Sequence, residues 1–309
     1  MRLDTAPPET LSIPVMGQMC VYRAQSAAMK TKRPEEPAPA VVMPAEEIAA
    51  FAGDPDFMPS LARGLAVVRA FTRARRKLTV AELSRKTGIP RASVRRCLHT
   101  LAELGYVSSD GHGFSLQPKI LTLGFSYLSS APLAETAQPL LERVSAAVQE
   151  SCSLAVLDGD EIVYIARSAT RRIMSVSLNI GSRLPAYCTS MGRVALAQMP
   201  QGSLEGYLAR VKLRPLTART VVSHAALVRT IAEARKAGFA AVDQELEIGL
   251  RSIAVPVTDN AGTLVASMNV SSHAGRVTMR DMERLFLPEL RAAAHDLSLQ
   301  LESAGAALR

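Results

Sequence analysis

Residues 79–104, TVAELSRKTGIPRASVRRCLHTLAEL, constrain the fold most, because their spacing predicts two short helices joined by a tight turn. Thr79 is predicted to cap the first helix, and Gly88 supplies the positive φ angle that ends it. Pro90 belongs to the turn, and the second helix begins at Arg91. In a helix-turn-helix of this kind, the second helix enters the major groove of DNA.

The second of these helices is apolar on one side and basic on the others. Its apolar residues recur at intervals of three and four: Val94, Cys97, Leu98, Leu101 and Leu104. Arginine can pair bidentately with guanine, and neighbouring cations can hold phosphates. The candidate DNA-binding residues are Arg91, Ala92, Ser93, Arg95, Arg96 and His99.

Basic residues on an amphipathic helix can also be no more than a solvated surface, but the charge distribution argues against that reading. Residues 61–117 contain 11 Lys or Arg and three acidic residues, a net charge of +8. The whole chain has 36 basic and 28 acidic side chains, also +8, so all other residues together are neutral. A basic footprint concentrated in one small module is typical of proteins that bind the phosphate backbone.

The residues around the helix pair predict a winged helix-turn-helix over residues 58–117. A buttressing helix is expected at residues 60–72, capped by Ser60. Two short runs, residues 106–108 and 113–116, flank Asp110-Gly111, which suits the turn of a β-hairpin. His112 at the tip of this wing is as well explained by an idle side chain as by a phosphate contact.

Length and composition limit the remaining possibilities. A chain of 309 residues is long enough for two domains at about 150 residues each. It contains no apolar run of about 18 residues and no signal-peptide pattern, so no membrane partner is expected. Four cysteines without a CxxC pair suit a reducing cytoplasm and provide no zinc framework. A cytoplasmic protein, associated with the nucleoid when bound to DNA, is therefore expected.

Three further segments complete the predicted domain organisation. Residues 1–57 are rich in proline and are predicted to be a mostly disordered extension, with a short helix around residues 45–51. Within and just after it stand further methionines, which leave the natural start of translation open: Met16, Met19, Met29, Met43 and Met58. Residues 118–133 are predicted to form a linker helix, apolar around most of its surface and suited to a dimer contact. Residues 134–309 form the second domain.

The second domain has the sequence pattern of an α+β fold with an antiparallel sheet. Two-residue periodicity predicts strands at residues 152–157, 161–167, 173–178, 239–243, 252–259 and 263–271. Helices are predicted at residues 134–150, 192–198, 204–210, 225–237 and 278–303, the last with a kink at Pro288. A domain of this size and pattern can enclose a small-molecule pocket.

Four segments of the chain together resemble the IclR family of bacterial transcription regulators over about residues 58–301. In order, they are SLARGLAVVRAF, ELSRKTGIPRASVRRCLHTLAELGYV, GSRLPAYCTSMGRVALA and DQELEIGLRSIAVPVTDNAGTLVASMNVS. The resemblance implies a winged helix-turn-helix followed by an effector domain of GAF-like fold, in dimers that assemble into tetramers. The last two segments resemble the branch that regulates the β-ketoadipate pathway, whose members respond to protocatechuate, p-hydroxybenzoate or β-ketoadipate.

In similar regulators the loop at residues 181–192 lines the effector pocket, and its chemistry suits an organic acid. Backbone N–H groups at a helix start, expected near Ser190, favour a carboxylate. Arg183 can pair with a second carboxylate or a phenolate, although a plain turn with a surface arginine fits the same pattern. The candidate residues of this loop are Gly181, Ser182, Arg183, Leu184, Tyr187, Thr189, Ser190 and Met191.

A second group of effector candidates follows in the last family-like segment. Asp243, Glu245 and Glu247 alternate and are expected to point one way, where they would bond pocket hydroxyls or support Arg251. A metal site is not expected, because no His or Cys lies within six residues. On the later strands, neutral hydrogen bonds are expected from Ser252, Asn269 and Ser271, for which a plain sheet role is the alternative.

These patterns favour a ligand-responsive transcription regulator that needs no cofactor. The expected partners are a double-stranded DNA operator, a small organic acid, further copies of the chain and RNA polymerase. Alternatives are a regulator of another operon with a different effector, an enzyme fused to a DNA-binding module, and an architectural DNA binder. The enzyme alternative would need Cys152 or Cys188 as nucleophile, and no Walker, dinucleotide or Gly-x-Ser-x-Gly fingerprint supports it.

Overall fold

The N-terminal part of the protein is a helical module with a small sheet. The computed structural model describes residues 45–72, 75–130, 133–170 and 178–307. The module contains α1 (Ala45–Ala49), α2 (Pro59–Arg69), β1 (Lys77–Leu78), α3 (Val80–Thr87), α4 (Arg91–Glu103), β2 (Val107–Ser109) and β3 (Phe114–Leu116). The predicted helix-turn-helix is therefore confirmed as α3 and α4.

Local hydrogen bonds fix both ends of α3. The Thr79 hydroxyl accepts a hydrogen bond from the Glu82 N–H at 3.2 Å, and the Glu82 carboxylate accepts one from the Thr79 N–H at 2.9 Å. This reciprocal capping box satisfies two backbone donors that the helix itself cannot satisfy. Gly88 ends the helix at φ 74°, as the sequence predicted. Ser84 then donates a hydrogen bond to the Ile89 carbonyl at 2.7 Å, which holds the turn against the helix.

The buttressing helix α2 differs from its prediction at both ends. It begins at Pro59 and ends at Arg69, with Met58 as an N-cap that makes no side-chain hydrogen bond. Ser60 is therefore not the cap. Proline favours the first position of a helix, because its fixed φ angle fits and its missing N–H would have no partner there.

The predicted wing is present and has one strand more than expected. β2 and β3 pair as a hairpin, and β1 adds to the other side of β3, giving the order β1-β3-β2. Gly111 at φ 84° makes the turn, where Asp110 accepts a hydrogen bond from the His112 N–H at 3.1 Å. Asp110 is also ion-paired with Lys77, which ties the hairpin tip to β1.

One apolar core joins these elements and extends beyond the predicted domain start. Val67, Leu83, Val94 and Leu98 are fully buried in it, and Ile48 of α1 packs among them at 6% exposure. The packed module thus includes residues from Ala45 onward, which the sequence assigned to a mostly disordered extension. Residues 1–44 of that extension lie outside the described residues.

The predicted linker helix forms in two parts. A 3₁₀ turn at Pro118–Ile120 leads into α5 (Leu121–Ser130). Leu121 is 72% exposed and Phe125 is 65% exposed in the single chain. Such a surface agrees with the dimer contact expected from the sequence, which stays a prediction.

The C-terminal part contains a six-stranded antiparallel sheet with helices on both faces. Its strands are β4 (Ser151–Asp158), β5 (Glu161–Ser168), β6 (Arg183–Pro185), β7 (Ala240–Asp243), β8 (Leu250–Thr258) and β9 (Leu264–His273). Their order is β6-β5-β4-β9-β8-β7. The antiparallel α+β fold is thereby confirmed, whereas the strand predicted at 173–178 falls almost entirely outside the described residues.

Two separate cores cover the two faces of this sheet. One face packs against α6 (Leu133–Val148) and α11 (Leu287–Ala307), with Leu141, Met268 and Leu290 at its centre. The opposite face packs against α7 (Ser190–Gln198), α8 (Gln201–Arg210) and α9 (His224–Ala237). Because side chains alternate along each strand, successive residues contribute to different cores.

The C-terminal helix deviates upstream of Pro288 rather than at a simple kink. A short α10 (Met279–Asp281) continues through a wide π-helical turn at Met282–Phe286 into α11. Pro288 lacks an N–H, and its ring would collide with the carbonyl four residues earlier in a regular helix. A widened turn removes that collision. Within the described residues, no helix combines the length and apolar character needed to cross a bilayer.

Candidate nucleic-acid interface and ligand pocket

The outer face of α4 presents the residues that the sequence selected for DNA binding. Val94 and Leu98 are fully buried and turn this face of the helix toward the core. The opposite side carries the exposed residues Arg91, Ala92, Arg95, Arg96 and His99, with Ser93 half-buried beside them. The structure therefore brings all six candidates to one accessible helix.

The arginines of this face are available to an external anion. Ion pairs of the module join Arg75 to Glu82, Lys77 to Asp110 and His99 to Glu103. Arg91, Arg95 and Arg96 take part in no ion pair with a described residue. The His99 pair is exposed and 3.9 Å long, so it contributes little. A strip of exposed guanidinium groups without ion pairs to described residues suits phosphates and base edges.

The C-terminal module contains a pocket between the start of α7 and the sheet. It encloses about 380 Å³ of non-protein space, part of it open to solvent. Its lining comes from β5, β6, β7, β8, β9, α7, the 3₁₀ turn before α7 and two loops: Tyr164, Leu178, Leu184, Cys188, Thr189, Ser190, Met191, Val242, Leu246, Leu250, Ser252, Asn269 and Ser271.

The start of α7 is held rigidly at the pocket wall. Thr189 caps the helix by accepting a hydrogen bond from the Gly192 N–H at 3.2 Å. Its own hydroxyl donates to the Pro185 carbonyl at 3.0 Å. The helix packs so closely on the preceding turn that a Cβ atom at Gly192 would lie 2.2 Å from the Ala186 carbonyl oxygen. Only glycine fits at this position without movement of the backbone.

Replacing Gly192 with alanine should therefore destabilise the C-terminal module by about 1–3 kcal/mol, the usual cost of overpacking. Chemical unfolding of the purified variant would measure this loss. Gly202 is the matched control, because a Cβ atom there would meet nothing within 4 Å. Gly202→Ala should be neutral or stabilise the helix by up to about 1 kcal/mol. Equal stability of Gly192→Ala and the unchanged protein would contradict the close approach.

The sheet side of the pocket is polar although it is deeply buried. Asn269 and Ser271 of β9 are 3% and 4% exposed, and Ser252 of β8 lies directly opposite Ser271. The Asn269 Oδ1 atom and the Ser190 Oγ atom are buried without a hydrogen-bond partner among the described residues. Buried polar atoms normally form hydrogen bonds. Two orphaned polar atoms, meaning buried atoms without a hydrogen-bond partner, in one pocket therefore indicate a place for a polar ligand.

Seven of the predicted effector residues meet in this pocket: Leu184, Thr189, Ser190, Met191, Ser252, Asn269 and Ser271. The remaining six candidates do not line it: Gly181, Ser182, Arg183, Tyr187, Asp243 and Glu245. Gly181, at φ 84°, shapes the turn, and the Ser182 hydroxyl accepts a hydrogen bond from the Asn179 N–H at 2.9 Å. These two residues support the loop.

Arg183 is used inside the protein, contrary to the expectation that it holds an effector anion. Its Nε atom donates to Glu161 at 2.7 Å, and its Nη1 atom donates to Asp158 at 2.6 Å. Burial alone would lower the pKa of Arg183, but its hydrogen bonds to these two carboxylates raise the pKa above the usual value. The guanidinium therefore fastens β6 to the β4-β5 hairpin.

Tyr187 also turns away from the pocket. Its hydroxyl donates a hydrogen bond to the Arg214 carbonyl at 2.9 Å and accepts one from the Arg214 N–H at 3.2 Å. Burial raises the pKa of Tyr187. The side chain thus anchors the segment after α8.

The expectation that Asp243, Glu245 and Glu247 point one way is wrong. β7 ends at Asp243, and Gln244 has a φ angle of 61°, which interrupts the alternation of an extended strand. Asp243 accepts a hydrogen bond from Arg251 at 2.6 Å. This contact agrees with the expected support of Arg251. The pKa of Asp243 is lowered, mainly by this bond. Glu245 instead forms a buried ion pair with Arg193 at 2.6 Å.

Sequence reasoning missed six pocket residues: Tyr164, Leu178, Cys188, Val242, Leu246 and Leu250. Tyr164 and Val242 could have been found, since each lies on a predicted strand in step with core residues. Leu246 and Leu250 could not have been found from the sequence, because the positive φ angle of Gln244 redirects the chain after β7. No local sequence signal marks that change.

The buried cysteines do not have the properties of nucleophiles. Burial raises the pKa of both Cys152 and Cys188 to about 12, so both are thiols at neutral pH. Among the described residues, no group of three His, Cys, Asp or Glu side chains could hold a metal ion.

Two family models match this chain. A family model described as "IclR helix-turn-helix domain" matches residues 60–111, and one described as "Bacterial transcriptional regulator IclR C-terminal" matches residues 125–299. The second match alone covers more than half of the chain. This chain belongs to the IclR family. Its members are DNA-binding transcription regulators rather than enzymes, with an effector-binding C-terminal domain.

Individual IclR relatives agree over nearly their whole lengths. The chain is 56% identical to the "Pca regulon regulatory protein" of Pseudomonas putida, over 85% of this chain and 91% of that protein. It is 35% identical to the "p-hydroxybenzoate hydroxylase transcriptional activator" of Acinetobacter baylyi, over 78% of this chain and 91% of that protein. An IclR homolog from Microbacterium hydrocarbonoxydans, solved as a complex with 4-hydroxybenzoate, aligns with a TM-score of 0.69 at 25% identity, covering 79% of this chain and 99% of that one.

Proposed function

We propose that this IclR-family regulator controls genes for the breakdown of aromatic acids, and that a small aromatic or dicarboxylic acid bound in the C-terminal pocket sets its affinity for an operator. The observation that carries the proposal is the pairing of two sites in one chain. One is the uncompensated basic face of α4, and the other is a buried polar pocket with orphaned hydrogen-bonding atoms. The first suits duplex DNA, and the second suits a small polar ligand.

The chemistry of the pocket supports an organic acid that also carries apolar surface. Leu178, Leu184 and Leu246 provide apolar walls for a ring or a short carbon chain. Ser190 lies at the start of α7, where backbone N–H groups and the helix dipole favour negative charge. Hydroxyl and amide groups of the sheet can bind further oxygen atoms. The Pseudomonas relative is named as a Pca regulon regulator and the Acinetobacter relative as an activator of p-hydroxybenzoate hydroxylase. Both names support an aromatic acid as the effector of this chain.

Regulation requires that the acid binds two arrangements of the protein unequally. An effector can shift an equilibrium only by the difference of its affinities for the two states. In a dimer, or in a dimer of dimers, a change in the relative positions of two DNA-binding modules would alter how both α4 helices reach one operator. Oligomerisation, a cytoplasmic location and contact with RNA polymerase are part of this proposal.

The direct test is operator binding with and without effector. The probe is a labelled duplex recovered from fragmented genomic DNA by binding to the full-length protein. Protocatechuate, 4-hydroxybenzoate and β-ketoadipate are titrated separately, and fluorescence anisotropy reports the dissociation constant. We expect one of them to change it by about 5–150-fold, the usual range of allosteric coupling. The expected sign is left to the experiment, because repression and activation both fit the structure.

Two outcomes would redirect the proposal. An unchanged dissociation constant with every one of these acids would contradict this effector class. Binding of a chemically different small molecule in a thermal-shift screen would then favour an IclR regulator of another operon. No thermal shift with any ligand would favour an architectural DNA binder.

A further inference from the structure

A row of three polar side chains crosses the pocket face of the sheet. Ser153 of β4 lies directly opposite Arg167 of β5 on one side and opposite Asn269 of β9 on the other. Neighbouring residues Leu154 and Met268 point into the core behind the sheet. Arg167, Ser153 and Asn269 therefore share the face that lines the pocket, because strand residues alternate between faces.

Arg167 is incompletely satisfied at its position in this row. Its Nη1 atom donates a hydrogen bond to the Ser153 hydroxyl at 3.1 Å. Its Nε atom is buried and has no hydrogen-bond partner within residues 45–72, 75–130, 133–170 and 178–307. Arg167 also forms no ion pair with a described carboxylate. Burial lowers the pKa of Arg167.

Arg167 is not itself a lining residue of the pocket, but it lies three residues after Tyr164 on β5. Burial raises the pKa of Tyr164, which lines the pocket, to about 12, and the positive charge of Arg167 partly offsets this effect. Asn269, at the other end of the row, also lines the pocket and carries an orphaned oxygen atom. The row thus connects a cation that has no ion pair among the described residues to an orphaned polar atom of the pocket.

Three other arginines of the described sheet region are paired with carboxylates. Arg183 is held by Asp158 and Glu161, Arg193 by Glu245, and Arg251 by Asp243. A guanidinium group that is partly buried without an anion is unfavourable unless a ligand supplies one. Arg167 differs from these arginines because it has no ion pair with a described carboxylate.

We propose that Arg167 binds the carboxylate of the effector through its Nε edge, which has no hydrogen-bond partner among the described residues, while Ser153 fixes the opposite side of the guanidinium and Asn269 bonds a further oxygen of the ligand. The inference rests on the proposed function and adds to it a specificity-determining residue. Side-on pairing of a guanidinium with a carboxylate uses two parallel hydrogen bonds, which an ammonium group cannot reproduce. The pocket should therefore select acids over their uncharged analogues.

The test compares an acid with its neutral amide in the full-length protein. Calorimetric titration first identifies which of 4-hydroxybenzoate, protocatechuate and β-ketoadipate binds, and the corresponding amide is then titrated. Arg167→Gln should weaken binding of the acid by at least about 30-fold, since truncating one partner of a buried charge pair usually costs that much or more. Binding of the amide should change much less. The preference for acid over amide should therefore collapse.

Two further variants keep the test decisive. Arg183→Gln is the matched control: it removes the same charge from outside the pocket and should leave the acid-to-amide ratio unchanged. Arg167→Lys retains the charge and should give an intermediate ratio, which decides the question if Arg167→Gln fails to fold in a circular dichroism melt. An unchanged ratio in the Arg167 variants would overturn the role of Arg167 while the effector function stands. If the unchanged protein binds none of the three acids, the proposed effector class fails, and this inference fails with it.

Discussion

Replacing Arg91, Arg95 and Arg96 together with alanine should weaken operator binding by at least about 100-fold, because each lost base or phosphate contact costs roughly 1–3 kcal/mol. All three side chains are exposed on α4, and none forms an ion pair with a described residue. Their removal should therefore leave the fold intact. Fluorescence anisotropy with the operator duplex measures the loss, and circular dichroism checks the helix content.

Salt dependence adds an independent measure of the same contacts. The slope of log affinity against log salt should fall by about 0.9 for each phosphate contact that is removed. The control variant removes three equal charges from exposed positions of the C-terminal module: Arg229→Ala, Lys236→Ala and Arg280→Ala. It should retain nearly all operator affinity. If the two triple variants lose affinity equally, net charge rather than α4 governs DNA binding.

Replacing Glu245 with alanine should destabilise the C-terminal module by about 3–5 kcal/mol, because removing one partner of a buried ion pair leaves the other charge uncompensated. Glu245 and Arg193 have side chains only 9% and 5% exposed, with 2.6 Å between the paired atoms. Glu245 also accepts a hydrogen bond from the Val221 N–H at 3.1 Å, and its carbonyl accepts one from Thr220 at 2.6 Å. One residue thus joins α7 to the loop that precedes α9.

Calorimetry should show this loss as a fall in melting temperature on the order of 10 °C. Glu205→Ala provides the matched control, since Glu205 is exposed on α8 and should affect stability by less than about 0.5 kcal/mol. The double variant Arg193→Met with Glu245→Leu should recover much of the loss, because an apolar pair removes both charges together. A melting temperature for Glu245→Ala equal to that of the control would show that the pair contributes nothing.

The DNA-binding module could be predicted closely because its signals are local. The Thr79 cap, the Gly88 terminus and the three-four spacing of α4 each act within one or two turns of helix. The start of α2 could not be predicted, since both Pro59 and Ser60 offer legitimate helix starts. Packing of Ile48 against this module was also unpredictable, because it depends on a long-range contact.

In the C-terminal module, the strands were predictable but their partners were not. Alternation placed Ser252, Asn269 and Ser271 correctly, since β8 and β9 keep a regular register through these residues. Arg183 was misassigned, because its carboxylate partners on the β4-β5 hairpin are 22 and 25 residues away in the chain. Arg167 was overlooked for the related reason that a cation without an ion pair among the described residues can be recognised only after the other pairs are known.

The two cores of the effector domain have separate residues, and that separation has an evolutionary consequence. No pocket-lining residue belongs to the core between the sheet, α6 and α11. Substitutions on the ligand side can accumulate while the opposite side continues to hold the domain together. A domain built in this way can change its ligand specificity without first losing its fold.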